Sequence, residues 1–163
     1  MYYCRFASPL GEILIAGHET GLTHLAFMES DGALAVPDDW QRDDECFAEA
    51  REQVLAYLDG RRRSFSLELG VEGSGFQREV WAALLRIPYG ETRTYGDLAR
   101  RLGSEHPARA IGTACNANPV PVLIPCHRVV AVDGIGSYSA GATLKEQLLA
   151  LEGAIPSRQG ARR

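Results

Sequence analysis

Between Gly70 and Gly75 three glycines fall within six residues, and the hydrophobic rhythm of the chain changes across them. Upstream, strand-like runs at Met1–Phe6, Glu12–Ala16 and Leu22–Phe27 are separated by Ser8-Pro-Leu-Gly11 and His18-Glu-Thr-Gly21, which carry the proline and glycine that tight turns need. That spacing predicts three antiparallel strands. An acidic loop follows (Asp38-Asp39, Asp43-Asp44-Glu45), then Phe47, Ala50, Val54 and Leu58 recur at helical spacing until Gly60 stops the helix. Ser64–Leu69 alternates as a fourth strand.

Downstream of the glycines the pattern is helical. Ser74 with Gln77 has the spacing of a capping box and opens a helix whose apolar face is Phe76, Val80, Leu84 and Ile87, ended by Pro88. Thr94 with Asp97 repeats the signature and opens a helix through Leu102, closed by Gly103. Pro107 stands where a first helical residue is tolerated, and Ala108–Asn116 reads as the next helix. Thr94–Asn116 thus has a helix-turn-helix outline, which many helical proteins share. Arg100, Arg101 and Arg109 lie on or beside it, and the small residues Ala108, Ala110, Gly112, Thr113 and Ala114 allow close backbone approach to DNA or, equally, to another helix. The prolines of Asn118–Pro125 disfavour helix at the preceding residues and predict a rigid extended strap leading to Cys126, with Val122-Leu-Ile124 buried. A glycine-rich loop, Gly134–Gly141, precedes a last helix, Ala142–Glu152, with Leu144, Leu148 and Leu151 inward and Gly153 as its cap.

A chain of 163 residues with 45% hydrophobic and 23% charged residues is of ordinary globular composition. It holds no apolar run near the ~20 residues of a membrane-spanning helix, and its start lacks a secretory pattern, so a cytoplasmic protein without a membrane partner is expected. Cys4, Cys46, Cys115 and Cys126 form no C-x-x-C pair, and His18, His24, His106 and His127 are scattered, so reduced thiols and no metal site are expected; Cys4 and His24 are the only tempting N-terminal ligands. The net charge of −4 hides an asymmetry: residues 1–75 carry six basic and fourteen acidic side chains, residues 76–128 seven and four. A locally basic segment suits phosphate contact even in an acidic protein. Arg61-Arg-Arg63 follows a helix C-terminus, where cations suit the dipole.

Ile124-Pro-Cys-His-Arg-Val129 leaves three readings of Cys126 open: nucleophile, metal ligand or buried thiol. Free cysteine is commonly just buried, but polar neighbours on its C-terminal side are expensive in ordinary core. Neighbouring residues point in different directions, so His127 reaches the Cys126 sulfur only through a water or a bent backbone. An imidazole that takes the thiol proton calls in turn for a carboxylate. Glu152 is the candidate because it sits in the last turn of its helix, where a negative charge is disfavoured; a solvated side chain is the alternative. Gly134-Ile-Gly-Ser-Tyr-Ser-Ala-Gly141 lacks the third glycine of a dinucleotide fingerprint at residue 139, and no P-loop is present, so no cofactor is expected. The loop reads instead as a pocket wall, with backbone amides and the hydroxyls of Tyr138 and Ser139 available to a flat polar ligand.

The runs Phe76-Gln-Arg-Glu-Val-Trp81, Ile87-Pro-Tyr-Gly-Glu-Thr-Arg-Thr-Tyr-Gly96, Ala108-Arg-Ala-Ile-Gly112, Asn118-Pro-Val-Pro121, Ile124-Pro-Cys-His-Arg-Val129, Gly136-Ser-Tyr-Ser-Ala-Gly141 and Lys145–Gly153, in this order, closely resemble the methylated-DNA–protein-cysteine methyltransferases, the O6-alkylguanine-DNA alkyltransferases. The resemblance implies an α+β fold: a small ribonuclease H-like lobe over 1–72 with an antiparallel sheet and helix, a mainly helical DNA-binding and alkyl-acceptor domain with the helix-turn-helix over 73–157, and a disordered tail over 158–163. It implies irreversible transfer of an alkyl group from O6 of guanine in duplex DNA to Cys126, with O4-methylthymine a second candidate substrate, by a monomer that binds DNA alone or cooperatively.

Carried over by position, the resemblance implies that His127 deprotonates Cys126 through water, Glu152 orients His127, Asn118 braces the turn, and Tyr95 protonates the departing base and helps to flip it. Arg109 would fill the space the base leaves, with Ala110, Thr113 and Arg128 also at the DNA. Tyr138, Ser139, Ala140 and the backbone around Val129 would line the base pocket. Ala140 replaces a glycine of several relatives and implies a tighter pocket. The rivals are a binding-only alkyltransferase-like protein, which Cys126 argues against, and a Cys-His hydrolase, for which adjacent residues are poor geometry and no oxyanion motif is evident.

Overall fold

The computed structural model describes residues 1–103 and 107–155. The chain divides into two compact units, Met1–Glu72 and Gly73 onward, and the expected tail 158–163 lies outside the described residues.

In the first unit β1 (Tyr2–Phe6), β2 (Ile13–His18) and β3 (Gly21–Phe27) form an antiparallel meander, β1 pairing from Tyr2 with Gly17 to Phe6 with Ile13. Ile13, Leu14, Ile15 and Ala16 of the central strand are fully buried, a continuous apolar run that only a strand covered on both faces supports. Helix α1 (Ala48–Leu58) buries Ala50, Val54 and Leu58 at the helical spacing read from the sequence, with Tyr57 beside them, whereas Phe47 stands before the helix as its N-cap in left-handed backbone and is half-buried. The remaining strand departs from expectation. It is β4 (Gln41–Arg42), parallel to β1 at the sheet edge within the acidic stretch, giving the order β3-β2-β1-β4. Two residues carry no periodicity to detect.

Ser64–Leu69 keeps its alternation, with Phe65, Leu67 and Leu69 half-buried and Ser64, Ser66 and Glu68 exposed, but meets the sheet at a single bridge, Leu22 to Leu69. Its polar groups are satisfied elsewhere. The Ser66 N–H donates to Gln53 Oε1 at 3.0 Å and Gln53 Nε2 donates to Ser66 Oγ at 3.1 Å, so a buried glutamine of α1 replaces part of a strand ladder.

In the second unit α2 (Gly75–Leu84) and α3 (Tyr95–Arg101) both start at complete capping boxes: Gln77 N–H to Ser74 Oγ with Ser74 N–H to Gln77 Oε1, and Asp97 N–H to Thr94 Oγ1 with Thr94 N–H to Asp97 Oδ2. Helix α4 (Ala108–Asn116) begins one residue after Pro107, which is the N-cap in extended backbone at ψ 162° rather than the first helical residue. The Trp81 indole N–H donates to the Ala114 carbonyl at 3.0 Å and ties α2 to α4. Helix α5 (Ala142–Leu151) ends in a Schellman motif: Gly153, at φ 74°, donates to Ala150 O and Ala154 N–H to Leu149 O. Its buried stripe is Leu144, Lys145, Leu148 and Leu149, following the i, i+3, i+4 rule, while Leu151, expected inward, is half-buried.

A second sheet escaped the sequence reading. β5 (Arg93–Thr94) and β6 (Val129–Val130) pair in parallel, Arg93 with Val129 and Thr94 with Val130, so the first residue of α3, Tyr95, emerges beside the end of the Cys126 segment. No described helix is long and apolar enough to cross a membrane.

Candidate active site

Asn118–Pro125 is not an extended strap. Val122 takes φ +78°, a left-handed conformation costing about 1–3 kcal/mol for a β-branched residue, and Ile124 N–H folds back onto Val120 O at 3.0 Å. Burial of the Val122 side chain returns a similar amount, about 1.5–3 kcal/mol, so a compact turn replaces the strap while Val122, Leu123 and Ile124 are all buried. Pro125, at φ −81° and ψ 63°, then closes an inverse γ-turn in which Cys126 N–H donates to Ile124 O at 2.8 Å. Cys126–Arg128 form one turn of 3-10 helix leading into β6.

Asn118 holds this turn together. Its Nδ2 donates to Ile124 O at 2.8 Å and to Cys126 Sγ at 3.3 Å, and its Oδ1 accepts from Val120 N–H at 3.0 Å. Cys126 is only 4% exposed, and burial pushes its thiol up to about 11, against the lowering effects of the Asn118 hydrogen bond and the Lys145 charge. At neutral pH the resting sulfur is therefore a protonated thiol.

His127 meets Glu152, Nε2 to Oε2 at 2.8 Å, both side chains fully buried. Burial pulls the imidazole below its ordinary pKa and Glu152 works in the opposite direction, so the ring rests neutral at pH 7. Glu152 is the C-cap of α5, where the helix dipole opposes a carboxylate. Gly90 N–H offsets that at 3.3 Å, and Arg128 does so with two bonds, Nε to Oε1 at 2.8 Å and Nη2 to Oε2 at 2.9 Å. Arg128, expected at the DNA, is 8% exposed; its Nη1 donates to Ile87 O at 2.7 Å and its guanidinium lies 5.7 Å from the Tyr89 ring centroid. The Ile87-Pro-Tyr-Gly90 turn thus cradles the Arg128–Glu152 pair.

A second cluster forms where α3, β6, the glycine-rich loop and α5 converge. Tyr95 is half-buried, with its phenol raised by burial, and its hydroxyl is 3.4 Å from Ser137 O. A side chain at Gly136 would begin 2.7 Å from that hydroxyl, so the close approach of Tyr95 requires glycine there. Lys145, the chain's single lysine, is fully buried and donates to Val129 O at 2.5 Å, Ser137 O at 3.0 Å and the Tyr95 hydroxyl at 3.3 Å. The sequence reading did not assign it a role. The signal was there: one lysine among sixteen arginines, at an inward position of an amphipathic helix.

Arg109 and Thr113 are exposed on α4 and Ala110 is half-buried. They line a cavity of about 390 Å³ with Ser74, Phe76 and Gln77, while Arg109, Gly112, Thr113 and Tyr95 line another of about 320 Å³ that extends to Ser137. In the loop Ser139 is half-buried, Tyr138 and Ala140 are buried, and Val129 has no exposed surface, its carbonyl already engaged by Lys145. His24 bonds Thr23 and packs on Trp40 with ring centroids 5.1 Å apart, and among the described residues no group of three or more His, Cys, Asp or Glu could hold a metal ion.

A buried cysteine with a carboxylate-bound histidine beside it, in a helical domain following a small sheet domain, defines a thiol-based group-transfer protein. The family model for the 6-O-methylguanine DNA methyltransferase DNA-binding domain matches residues 75–154, and that for its ribonuclease-like domain matches residues 1–71. The chain is 47% identical over 154 residues to the methylated-DNA–protein-cysteine methyltransferase of Methanosarcina acetivorans, covering 94% of this chain and 99% of that one. It is 40% identical to the Mycobacterium tuberculosis enzyme over 153 residues, 93% of this chain and 92% of that one. The structure of Mycobacterium tuberculosis OGT in complex with DNA superposes with a TM-score of 0.87 at 39% identity over 93% of both chains. The chain belongs to the methylated-DNA–protein-cysteine methyltransferase family, and its α+β architecture and enzyme class are those of that family.

Proposed function

We propose that the protein repairs O6-alkylated guanine in duplex DNA by moving the alkyl group to Cys126 Sγ, once per molecule. The observation that carries this reading is the Cys126 turn: a sulfur held by Asn118 and followed by a histidine whose Nε2 is bound to Glu152. With Nε2 engaged, Nδ1 is the ring nitrogen that takes the thiol proton, through one water, and Glu152 with Arg128 steadies the imidazolium that results. The thiolate attacks the alkyl carbon, the C–O bond breaks, and the electron pair leaves with the guanine, which takes a proton from the Tyr95 hydroxyl. A thioether offers no easy leaving group, so the thiol is not restored and the protein is consumed.

The target base lies inside the stack and has to be flipped out, at a cost of a few kcal/mol. The exposed face of α4 carrying Arg109, Ala110 and Thr113 suits minor-groove entry of a helix-turn-helix made by α3 and α4, with Arg109 filling the vacated space. The relative of known structure bound to DNA supports DNA as the partner. Tyr138, Ser139, Ala140 and Val129 form the base pocket in this reading, and Ala140 narrows it. The four free thiols suit a reducing cytoplasm, and the protein acts as a monomer that either binds singly or assembles cooperatively on DNA.

The test is to incubate the protein with duplex DNA containing O6-methylguanine and locate added methyl by peptide mass. At most one equivalent on Cys126 is expected, and the same assay with O4-methylthymine measures the second substrate. Lesion binding without label would instead make this a binding-only protein, and continuous turnover would refute the stoichiometric reaction.

A further inference from the structure

The ladder between β1 and β4 stops at Asp43, and a turn takes over beside Cys4. Asp43 N–H donates to Tyr3 O at 2.8 Å, but the Asp43 carbonyl leaves β1 and accepts Cys46 N–H at 3.1 Å. The Arg5 N–H, which a continued strand would engage, donates to Asp44 Oδ1 at 3.2 Å instead. Tyr3 O and Arg5 N–H are the peptide groups on either side of Cys4, so the turn Asp43–Cys46 straddles that residue. Arg51 of α1 pins the turn from its other side, with Nη1 donating to Asp44 O at 3.1 Å. Phe47 then takes φ 58°, a strained left-handed conformation for an aromatic residue, and α1 starts at the next position. Cys46 is thereby fixed between a pinned turn and a helix start, next to Cys4.

Cys4 is fully buried and Cys46 half-buried. Burial is the largest cause raising the Cys4 thiol and a charge on Cys46 the next, while Arg51 acts in the opposite direction. Cys46 is itself raised, by burial first and then by Asp43. Neither thiolate is stabilised, so nothing in the cluster favours the reduced pair. We propose that Cys4 and Cys46 are a dithiol pair that closes to an intramolecular disulfide by exchange with a small disulfide such as oxidised glutathione, stapling β1 to the entry of α1. Cys46, the reachable thiol, attacks as thiolate; the glutathione S–S bond breaks and one glutathione thiolate leaves. Cys4 then attacks the Cys46 sulfur and expels the second glutathione. The two protons lost by the cysteines go to the two glutathiones, so one dithiol and one disulfide give one disulfide and two thiols. The bridge closes a loop of about 40 residues and restricts the unfolded first unit more than the folded one. It adds a redox response in the first unit to the proposed function and takes no part in the chemistry of Cys126.

The test is thiol mapping on the full chain. Wild type and Cys46→Ser are incubated at pH 8 with oxidised glutathione, quenched in acid, digested without reductant and mapped by mass, and thermal midpoints are read before oxidation, after it, and after dithiothreitol. Wild type is expected to give a linked Cys4–Cys46 peptide and to unfold about 10 °C higher until dithiothreitol reverses the shift. Cys46→Ser should keep Cys4 as a free thiol and show no shift. Cys46 stalled as a glutathione adduct with Cys4 free, Cys4 bridged to Cys115 or Cys126, or a linked pair that leaves the midpoint unchanged or lower would overturn the proposal. So would wild type that keeps both thiols. The wild-type map needs no variant, and a Cys126 that never accepts methyl would refute the alkyl transfer while leaving this result standing.

Discussion

Arg128 and Glu152 meet in a buried two-point pair, Nε to Oε1 at 2.8 Å and Nη2 to Oε2 at 2.9 Å, and the same carboxylate is 2.8 Å from His127 Nε2. One anion therefore serves both the Arg128 guanidinium and the His127 imidazole. Removing one member of a buried pair leaves an uncompensated charge and costs about 3–5 kcal/mol. Arg128→Ala is expected to lose that much stability in urea denaturation. Its DNA affinity should keep the wild-type salt slope, whereas loss of a phosphate contact would reduce the slope by about one.

Asn118→Ala strips the turn of two donors and one acceptor. Leaving the buried Ile124 O and Val120 N–H without that partner costs about 1–3 kcal/mol. The same bond helps to lower the Cys126 thiol, so the variant's thiol should sit higher still than about 11 and react more slowly with iodoacetamide at pH 8. An unchanged alkylation profile would mean that Asn118 supports the turn alone.

Three buried thiols predict alkaline weakness. Cys4 and Cys126 are raised to about 11 and Cys115 to about 12, burial being the largest cause in each, against 9.0 for a free thiol. A raised folded-state value means that stability is fully present below about pH 9 and is lost as pH rises toward 11. Lys145, lowered from 10.5 to about 8, acts with the opposite sign between those values and offsets part of the loss. The thermal midpoint is therefore expected to fall between pH 9 and 11, and to fall less in Cys115→Ala; a midpoint that held or rose over this range would contradict the buried-thiol argument.

Ala140 is 5% exposed in the loop proposed to hold the base. Ala140→Gly should speed transfer of a benzyl group relative to methyl. Equal wild-type rates for benzyl and methyl guanine in DNA would show that Ala140 sets no limit.

Arg109 is exposed on α4 and lines both neighbouring cavities. Arg109→Ala should slow repair of duplex DNA far more than reaction with the free base O6-benzylguanine, which needs no flipping. Equal losses on the two substrates would tie Arg109 to the chemistry instead.

Much of this protein was legible before any coordinates. The three-strand meander, α1 and both capping boxes follow from turn residues and periodicity, because they are satisfied within a few residues of themselves. The Pro-Cys-His-Arg-Val run carried the family, and the dipole-opposed position of Glu152 singled out the partner of His127. Elements of two residues, β4, β5 and β6, left no trace, since a period needs more than one repeat to be seen.

Local sequence determined the segments and singled out Cys126 as the sulfur proposed to react; tertiary packing decided what surrounds it. The proline rule predicted an extended strap, but burial of Val122 offset a left-handed backbone and made a turn. The family resemblance put Arg128 at the DNA, yet the Ile87 carbonyl and Glu152, 41 and 24 residues away in the chain, drew it inside. Lys145 acquired its three oxygens from residues 8, 16 and 50 positions distant. A buried charge takes its meaning from the partners that satisfy it, and those partners are brought together only by the fold.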